Sequence, residues 1–157
     1  MKTYKGGSSP LLNVVEWFYT FGGEKRGAIA FAICGSETAF GTTGNARKYY
    51  NCWGYMCNYE GIRKSCGWEY QDKKSLEGFI EKYKLQDYSL NEVRWIYAIK
   101  RYIDKATPRY LSKYDGTRKS IKAVSEAGYY KKGMDNATQQ MIDAWVNRVY
   151  FFATKFQ

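Results

Sequence analysis

The spacing of apolar residues divides the chain into helical segments on either side of a segment that lacks helical periodicity. Apolar residues recur every three or four positions over six stretches, at about 10–21, 24–39, 74–85, 89–103, 117–127 and from 136 onward. This spacing places them on one face of a helix. The pattern therefore predicts two helical blocks, separated by an irregular segment over about 41–73.

Local signals predict where several of these helices begin and end. Ser9-Pro10 offers an N-cap and a first helical residue, and Gly22-Gly23 should stop that first helix. Ser89-Leu90-Asn91-Glu92 is a capping box for a helix that should end near Ile103. Thr107-Pro108 is expected to start a separate short helical turn.

The helix expected from Glu24 to Ala39 differs from the others because it is apolar on nearly all sides. Its centre reads GAIAFAIC from Gly27 to Cys34, which is typical of a helix buried at the heart of a domain. Glu37 lies near the end of this helix, which makes it a candidate functional group. The alternative is a solvated helix-end residue, or one that pairs with a nearby lysine.

The segment from 41 to 73 is rich in glycine, cysteine and aromatic residues. Tyr55-Met56-Cys57 and Ile62-Arg63-Lys64 are candidates for two short strands around a turn at 58–61. We therefore expect a loop-rich lobe that contains a small hairpin.

The four cysteines are Cys34, Cys52, Cys57 and Cys66. Their spacing lacks the paired pattern of a zinc ribbon, so no metal site is expected. A disulfide between Cys57 and either Cys52 or Cys66 is plausible, although the sequence cannot choose a pairing. Cys34 lies in the apolar helix and is expected to pack there as a small hydrophobic residue.

Length and composition are those of one domain. The 157 residues are 45% hydrophobic and 25% charged, which is enough to build a core and unlike a disordered tail. Residues 1–9 read as a flexible leader and 10–157 as a single catalytic domain. We expect a monomer. The chain has no long apolar run, so we expect no membrane insertion, and no signal peptide is visible.

Charge and aromatic content narrow the chemistry. The formal net charge is +10, and the chain contains sixteen Tyr, five Trp and no His. Without histidine, acid–base chemistry falls to Asp, Glu, Tyr, Lys or Cys. Tyr and Trp side chains suit a groove that stacks on sugars or bases, and a basic surface attracts polyanions such as nucleic acid or an anionic cell wall.

Two motifs follow one another around the end of the apolar helix. Glu37-Thr38-Ala39-Phe40-Gly41 comes first, and Asn51-Cys52-Trp53-Gly54-Tyr55-Met56 follows about ten residues later. In this order they resemble the lysozyme-like superfamily, in particular bacterial and phage N-acetylglucosaminidases and lytic transglycosylases. The resemblance covers about 25–85 well and the C-terminal half loosely, with Thr38 in place of the family's usual serine.

The resemblance implies a predominantly helical α+β domain of the lysozyme-like kind, in which a small lobe faces a helical lobe across a cleft. It implies cleavage of the β-1,4 bond between N-acetylmuramic acid and N-acetylglucosamine in peptidoglycan, without a cofactor. Glu37 would be the catalytic acid. The substrate-binding residues that it implies are Thr42, Asn51, Trp53, Gly54, Tyr55, Met56 and Trp68.

The position of Glu37 agrees with such a role. Glycosidic cleavage needs a carboxylic acid that stays protonated near neutral pH. Partial desolvation disfavours the carboxylate, and so does the negative end of the helix dipole. Both effects should therefore hold a proton on Glu37 until the leaving oxygen accepts it.

The second catalytic group is left open by the sequence. Asp72, Glu60 and Glu69 are candidates for a partner carboxylate, and each is equally compatible with a solvated loop position. Lytic transglycosylases need no second carboxylate. Tyr129 and Tyr130 match the position of a tyrosine that, in relatives, stabilises the developing positive charge.

Three other functions remain open. The first is a module that binds cell-wall glycan without cutting it, and the second is an enzyme that acts on chitin. The third is a nucleic-acid-binding domain, which the dispersal of Lys and Arg along the chain disfavours. The expected partner is bacterial peptidoglycan rather than nucleic acid, and the expected place of action is the cell wall, reached by secretion or by release from a phage-infected cell.

Overall fold

A computed structural model describes residues 8–67, 72–130 and 138–155. Within these ranges the chain is predominantly helical, with one small antiparallel sheet, so the predicted α+β class is confirmed. The elements in chain order are α1 Glu16–Thr38, α2 Gly44–Tyr49, β1 Met56–Tyr59, β2 Ile62–Ser65, α3 Lys73–Tyr83, α4 Leu90–Arg109, a 3-10 turn Leu111–Lys113, α5 Arg118–Gly128 and α6 Gln139–Lys155.

Helix α1 is the centre of the molecule. Every residue from Gly27 to Gly35 is buried, as the all-round apolar sequence of this stretch predicts. The helix packs mainly against α6 and α4. No helix in the described ranges is long and apolar enough to cross a membrane.

A glycine pair breaks α1 where the sequence predicts a stop. Gly23 has φ 74° and ψ −173°, a conformation that strains other residues. The backbone folds back so closely that a Cβ on Gly22 would lie 2.6 Å from the Gly27 nitrogen, and one on Gly27 would lie 2.5 Å from the Phe18 carbonyl oxygen. The chain therefore changes direction here before the buried half of α1 begins.

The start of the first helix differs from the prediction. Residues 10–15 form turns, and the regular helix begins at Glu16 rather than at Pro10. The Ser9 hydroxyl accepts the Leu11 N–H at 3.1 Å and donates to the Phe40 carbonyl at 2.6 Å. Ser9 is buried, so it belongs to the folded domain and not to the leader. Residues 1–7 lie outside the described part of the chain.

The lobe between α1 and α3 contains the predicted hairpin and one helix that the periodicity did not predict. Met56 pairs with Ser65 and Cys57 with Lys64, and the turn lies at Glu60-Gly61. The additional helix is α2. It is only six residues long, too short to show a period, and it is capped by Thr43, whose side chain accepts the Ala46 N–H.

Helix α4 starts as predicted and continues further than predicted. The capping box is present, because Glu92 N–H donates to the Ser89 hydroxyl and Ser89 N–H donates to the Glu92 carboxylate. The helix runs through Thr107-Pro108 to Arg109 instead of stopping near Ile103. Proline lacks one backbone donor, which costs little this close to the helix end at Tyr110.

The remaining helices lie within a few residues of their predicted positions. Helix α3 spans 73–83 against the predicted 74–85, and α5 spans 118–128 against 117–127. Helix α6 is described from Gln139 onward. Its predicted start at Asn136 lies outside the described residues.

Two disulfides join elements of the fold. Cys57–Cys66 closes the hairpin, which is one of the two pairings expected for Cys57. Cys34–Cys52 connects α1 to the loop before the hairpin. Cys34 is buried in the core, but the expectation that it packs there simply as a small hydrophobic residue is wrong, because it is bonded to Cys52. Helical periodicity shows that Cys34 faces the core, but it cannot show that Cys52 is buried against it.

Candidate active site

Glu37 lies in the last turn of α1, and its neighbour Thr38 ties that turn to the next loop. The Thr38 hydroxyl donates to the Cys52 carbonyl at 2.9 Å and accepts the Gly41 N–H at 2.9 Å. Together with the Cys34–Cys52 disulfide, this contact fixes the loop 51–55 against the end of α1. The two sequence motifs are therefore brought into contact.

The two carboxylate oxygens of Glu37 have different surroundings. Oε1 accepts a hydrogen bond of 2.7 Å from the indole Nε1–H of Trp145 on α6. Oε2 faces Gly54, where a Cβ would lie 3.7 Å from it. Gly54 has φ +65°, which favours glycine and brings the backbone close to the acid.

Burial raises the pKa of Glu37 above its usual value. Glu37 as a whole residue is exposed, yet enough protein surrounds its carboxyl group to disfavour the charged form. The hydrogen bond from Trp145 and the positive charge of Arg148 both act in the opposite direction. Desolvation outweighs them, so the net effect is a pKa above that of a solvated glutamate.

Asn51 and Thr42 stabilise the loops beside the acid. The Asn51 amide donates to the Tyr55 carbonyl at 2.8 Å and to the Ser65 hydroxyl at 2.7 Å. Its side-chain oxygen accepts the N–H groups of Trp53 and Tyr55. Thr42 is buried, and its hydroxyl donates to the Thr38 carbonyl at 3.3 Å. The structure thus gives both predicted binding residues a role within the protein.

Trp53 lies in the core beneath the site. It is 2% exposed, its indole donates to the Ala30 carbonyl at 2.9 Å, and its ring stacks on Tyr102 with centroids 4.3 Å apart. It therefore supports the floor of the site from below, and its ring faces are not open to a sugar.

A pocket of about 200 Å³ opens beside Gly54. Tyr55, Met56 and Tyr129 also line it, so four of the residues expected at the site lie together here. The sequence did not single out its other lining residues, which are Arg63, Arg109, Tyr110, Ala127 and Gly128.

Tyr129 belongs to a chain of hydrogen-bonded tyrosines. Its hydroxyl donates to the Trp53 carbonyl at 3.0 Å and lies 2.9 Å from the hydroxyl of Tyr102, which also accepts from Tyr110 at 3.1 Å. Burial raises the pKa of Tyr102 and of Tyr129 well above the usual value for tyrosine. Both hydroxyls therefore stay protonated, and Tyr129 holds the backbone next to Gly54.

Tyr130 lies one residue further on and is half-buried. Its ring meets Trp145 edge-on, with centroids 6.3 Å apart. It thus contacts the indole that donates a hydrogen bond to Glu37.

The candidate second carboxylates take other positions. Asp72 is the N-cap of α3, where its side chain accepts the Ser75 N–H at 2.7 Å. Glu60 is exposed in the hairpin turn. Glu69 and the predicted groove residue Trp68 lie outside the described residues. In the described ranges, no group of three or more His, Cys, Asp or Glu side chains is placed to hold a metal ion.

The sequence indicated Trp145 only as part of an apolar stripe and did not indicate Arg148 as a site residue. Trp145 lies 108 positions from Glu37 along the chain, and no local pattern connects them. Arg148 is three residues beyond Trp145, hence on the same side of α6. That spacing becomes informative only after the position of Trp145 is known.

Comparisons with protein-family models, with curated proteins and with solved structures find no match for this chain.

Proposed function

We propose that this chain is a lysozyme-like enzyme that cleaves the glycan strand of bacterial peptidoglycan, with Glu37 as the general acid. The observation that carries the proposal is the placement of Glu37. It ends a buried helix, burial raises its pKa, and its Oε2 faces Gly54, which lines a pocket. A glycosidase requires such a proton donor beside a space for the sugar.

The surroundings of the carboxyl group support Oε2 as the donor atom. Oε1 accepts the Trp145 indole N–H, which orients the group and suits an oxygen that carries no proton. The proton then lies on Oε2, next to Gly54 and the pocket. From there it passes to the glycosidic oxygen as the bond to the leaving sugar breaks.

The composition of the pocket favours a reaction that needs no second carboxylate. Glu37 faces Gly54 from outside the lining, and no aspartate or glutamate is among the described residues that line the pocket. Asp72 is engaged as a helix cap. A hydroxyl group of the substrate itself would then attack the anomeric carbon and give its proton to the Glu37 carboxylate that the first transfer leaves. This agrees with the resemblance to lytic transglycosylases, whose products end in an anhydro sugar.

The first prediction tests the acid directly. The variant Glu37→Gln keeps the size of the side chain and its hydrogen bond with Trp145 but cannot donate an acidic proton. We expect turnover on purified peptidoglycan to fall by about 10²–10⁴-fold, with the fold retained by circular dichroism. The matched control is Glu77→Gln on the exposed face of α3, which should keep full activity.

Mass spectrometry of the wild-type digest identifies the reaction, because the reducing-end sugar and any anhydro end are read directly. Full activity in a folded Glu37→Gln protein would exclude Glu37 as the acid. If the wild-type chain binds peptidoglycan but releases no fragments, the chain is instead a glycan-binding module.

A further inference from the structure

The pocket that Gly54 lines is also lined by two arginines from different elements. Arg109 comes from the end of α4 in the helical lobe, and Arg63 comes from β2 in the hairpin. No ion pair to either guanidinium is found in the described ranges, where the observed salt bridge joins Lys100 and Asp104. The pocket therefore carries positive charge that its own lining does not neutralise.

Both arginines are attached to ordered parts of the fold. Arg109 donates to the Tyr55 hydroxyl at 3.0 Å and lies over the Tyr55 ring, with Cζ 5.9 Å from its centroid. Tyr55 in turn packs edge-on against buried Tyr102. Arg63 lies opposite Asn58 in the hairpin that Cys57–Cys66 closes. The Arg109 guanidinium is thus oriented by Tyr55, and the backbone of Arg63 is fixed by the hairpin, which gives a partly preorganised cationic site.

The chemistry of this pair points to a carboxylate ligand. A guanidinium group stays charged at every physiological pH and matches the planar geometry of a carboxylate with two parallel N–H donors. The volume of about 200 Å³ is below the range of pockets that enclose a whole small molecule. It suits one charged branch of a larger chain that lies across the site.

We propose that Arg63 and Arg109 bind a carboxylate carried by the glycan close to the cleaved bond, so that the site selects peptidoglycan over uncharged chitin. The inference rests on the proposed function, because Gly54 lines this pocket and also faces the carboxyl group of Glu37. In peptidoglycan the carboxylate has two possible sources. It is the lactyl group of muramic acid where that group is free, and a carboxylate of the stem peptide where the lactyl group is amidated.

The experiment measures binding separately from cleavage. In the Glu37→Gln background, titration calorimetry gives the affinity for three soluble probes: the N-acetylglucosamine–N-acetylmuramic acid disaccharide, muramyl dipeptide and chitotetraose. We expect the two anionic probes to bind more tightly than chitotetraose. Arg63→Gln and Arg109→Gln should each weaken the anionic probes by about 10-fold, as loss of a charge-assisted hydrogen bond does, and leave chitotetraose unchanged.

The control variant is Arg26→Gln on the exposed early part of α1, roughly 16 Å along the helix from Glu37. It removes the same charge and should not change the affinity for any probe. Tighter binding of the disaccharide than of muramyl dipeptide assigns the pocket to the lactyl carboxylate, and the reverse order assigns it to the stem peptide.

Three results would overturn the proposal: equal affinity for anionic and neutral probes, arginine variants that bind as the parent does, or a folded protein that binds no probe. Failure of the proposed function is a different result, namely retained cleavage by Glu37→Gln or the absence of cleavage by the wild type. The preference for anionic probes, and its dependence on Arg63 and Arg109, can be measured in either case.

Discussion

Arg148 on α6 lowers the pKa of Glu37, and burial of Glu37 raises it. Removing the charge in Arg148→Gln should therefore raise the pKa of Glu37 further. A general acid acts in its protonated form, so the alkaline limb of kcat/KM should move to higher pH. Measuring kcat/KM against pH for the wild type and the variant tests this.

The control for this experiment is Arg26→Gln, which removes an equal charge from the exposed early part of α1 and should leave the profile in place. If the alkaline limb stays at the same pH in Arg148→Gln, or moves to lower pH, the observed pH dependence does not come from Glu37.

Tyr129 provides a second prediction at the level of a single residue. In Tyr129→Phe the Trp53 carbonyl loses its 3.0 Å hydrogen bond, which should lower the free energy of unfolding by about 1 kcal/mol. The backbone beside Gly54 also loses its support, so kcat should fall more than KM changes. Urea denaturation and steady-state kinetics measure the two effects.

Tyr130→Phe is the neighbouring comparison. Tyr130 meets Trp145 with its ring and Ser125 with its backbone N–H, and the Phe variant keeps both, so removing the hydroxyl should affect stability less. If Tyr130→Phe destabilises the protein as much as Tyr129→Phe, the Tyr129–Trp53 hydrogen bond is not the cause.

Among the elements, α1 and α4 show how much the sequence alone could predict. The apolar run in α1 and the capping box in α4 are local signals, and both lead to the correct helices. Helix α2 was not predicted, because six residues are too few to show a helical period. The end of α4 was placed too early because a proline near a helix end is compatible with both a new start and a last turn.

The loop 51–55 shows which parts of the candidate site the sequence could predict and which parts it could not. Its motif was found from sequence, and Gly54, Tyr55 and Met56 do line the pocket. The contacts of Asn51 and Trp53 were not predictable, because their partners include Ser65 and Ala30, which no local pattern connects to the motif. The part of the site made by Trp145, Arg109 and Arg63 depends in the same way on tertiary packing.

The two disulfides should differ in accessibility. Cys34 and Cys52 are both 0% exposed, whereas Cys57 is only half-buried in the hairpin. A mild reductant under native conditions should open Cys57–Cys66 first, because thiol–disulfide exchange needs access to a sulfur atom. Alkylation of the new thiols followed by mass spectrometry of the peptides identifies which bond opened.

Complete reduction should lower the melting temperature, because each disulfide closes a short loop and contributes roughly 2–3 kcal/mol to the free energy of unfolding. Alkylation of Cys34 and Cys52 before Cys57 and Cys66 would contradict the predicted order. Four free thiols in the untreated protein would contradict both bonds.

For the whole molecule, a net charge of +10 predicts electrostatic attraction to an anionic cell wall. The attraction is screened as the Debye length falls from about 10 Å at 0.1 M to about 3 Å at 1 M salt. We expect the rate of clearing of a cell-wall suspension to fall by about 10-fold or more over this range. Turbidity measurements at several salt concentrations test this.

The matched variant is Lys119→Gln with Lys122→Gln, two exposed positions on α5. It lowers the positive charge by two and should flatten the salt dependence without changing the rate at high salt. A clearing rate that does not depend on salt would show that attraction to the wall does not limit clearing.

The close approach of Gly22 and Gly27 has a consequence for how variation in this protein is interpreted. Neither position has room for a methyl group, so even alanine would push the two halves of α1 apart. In a deep mutational scan scored by lysis, both glycines should be as intolerant as Glu37, although neither belongs to the candidate active site. A scan scored by abundance as well would separate them, because substitutions at the glycines should deplete the protein, whereas Glu37→Gln should leave its abundance intact.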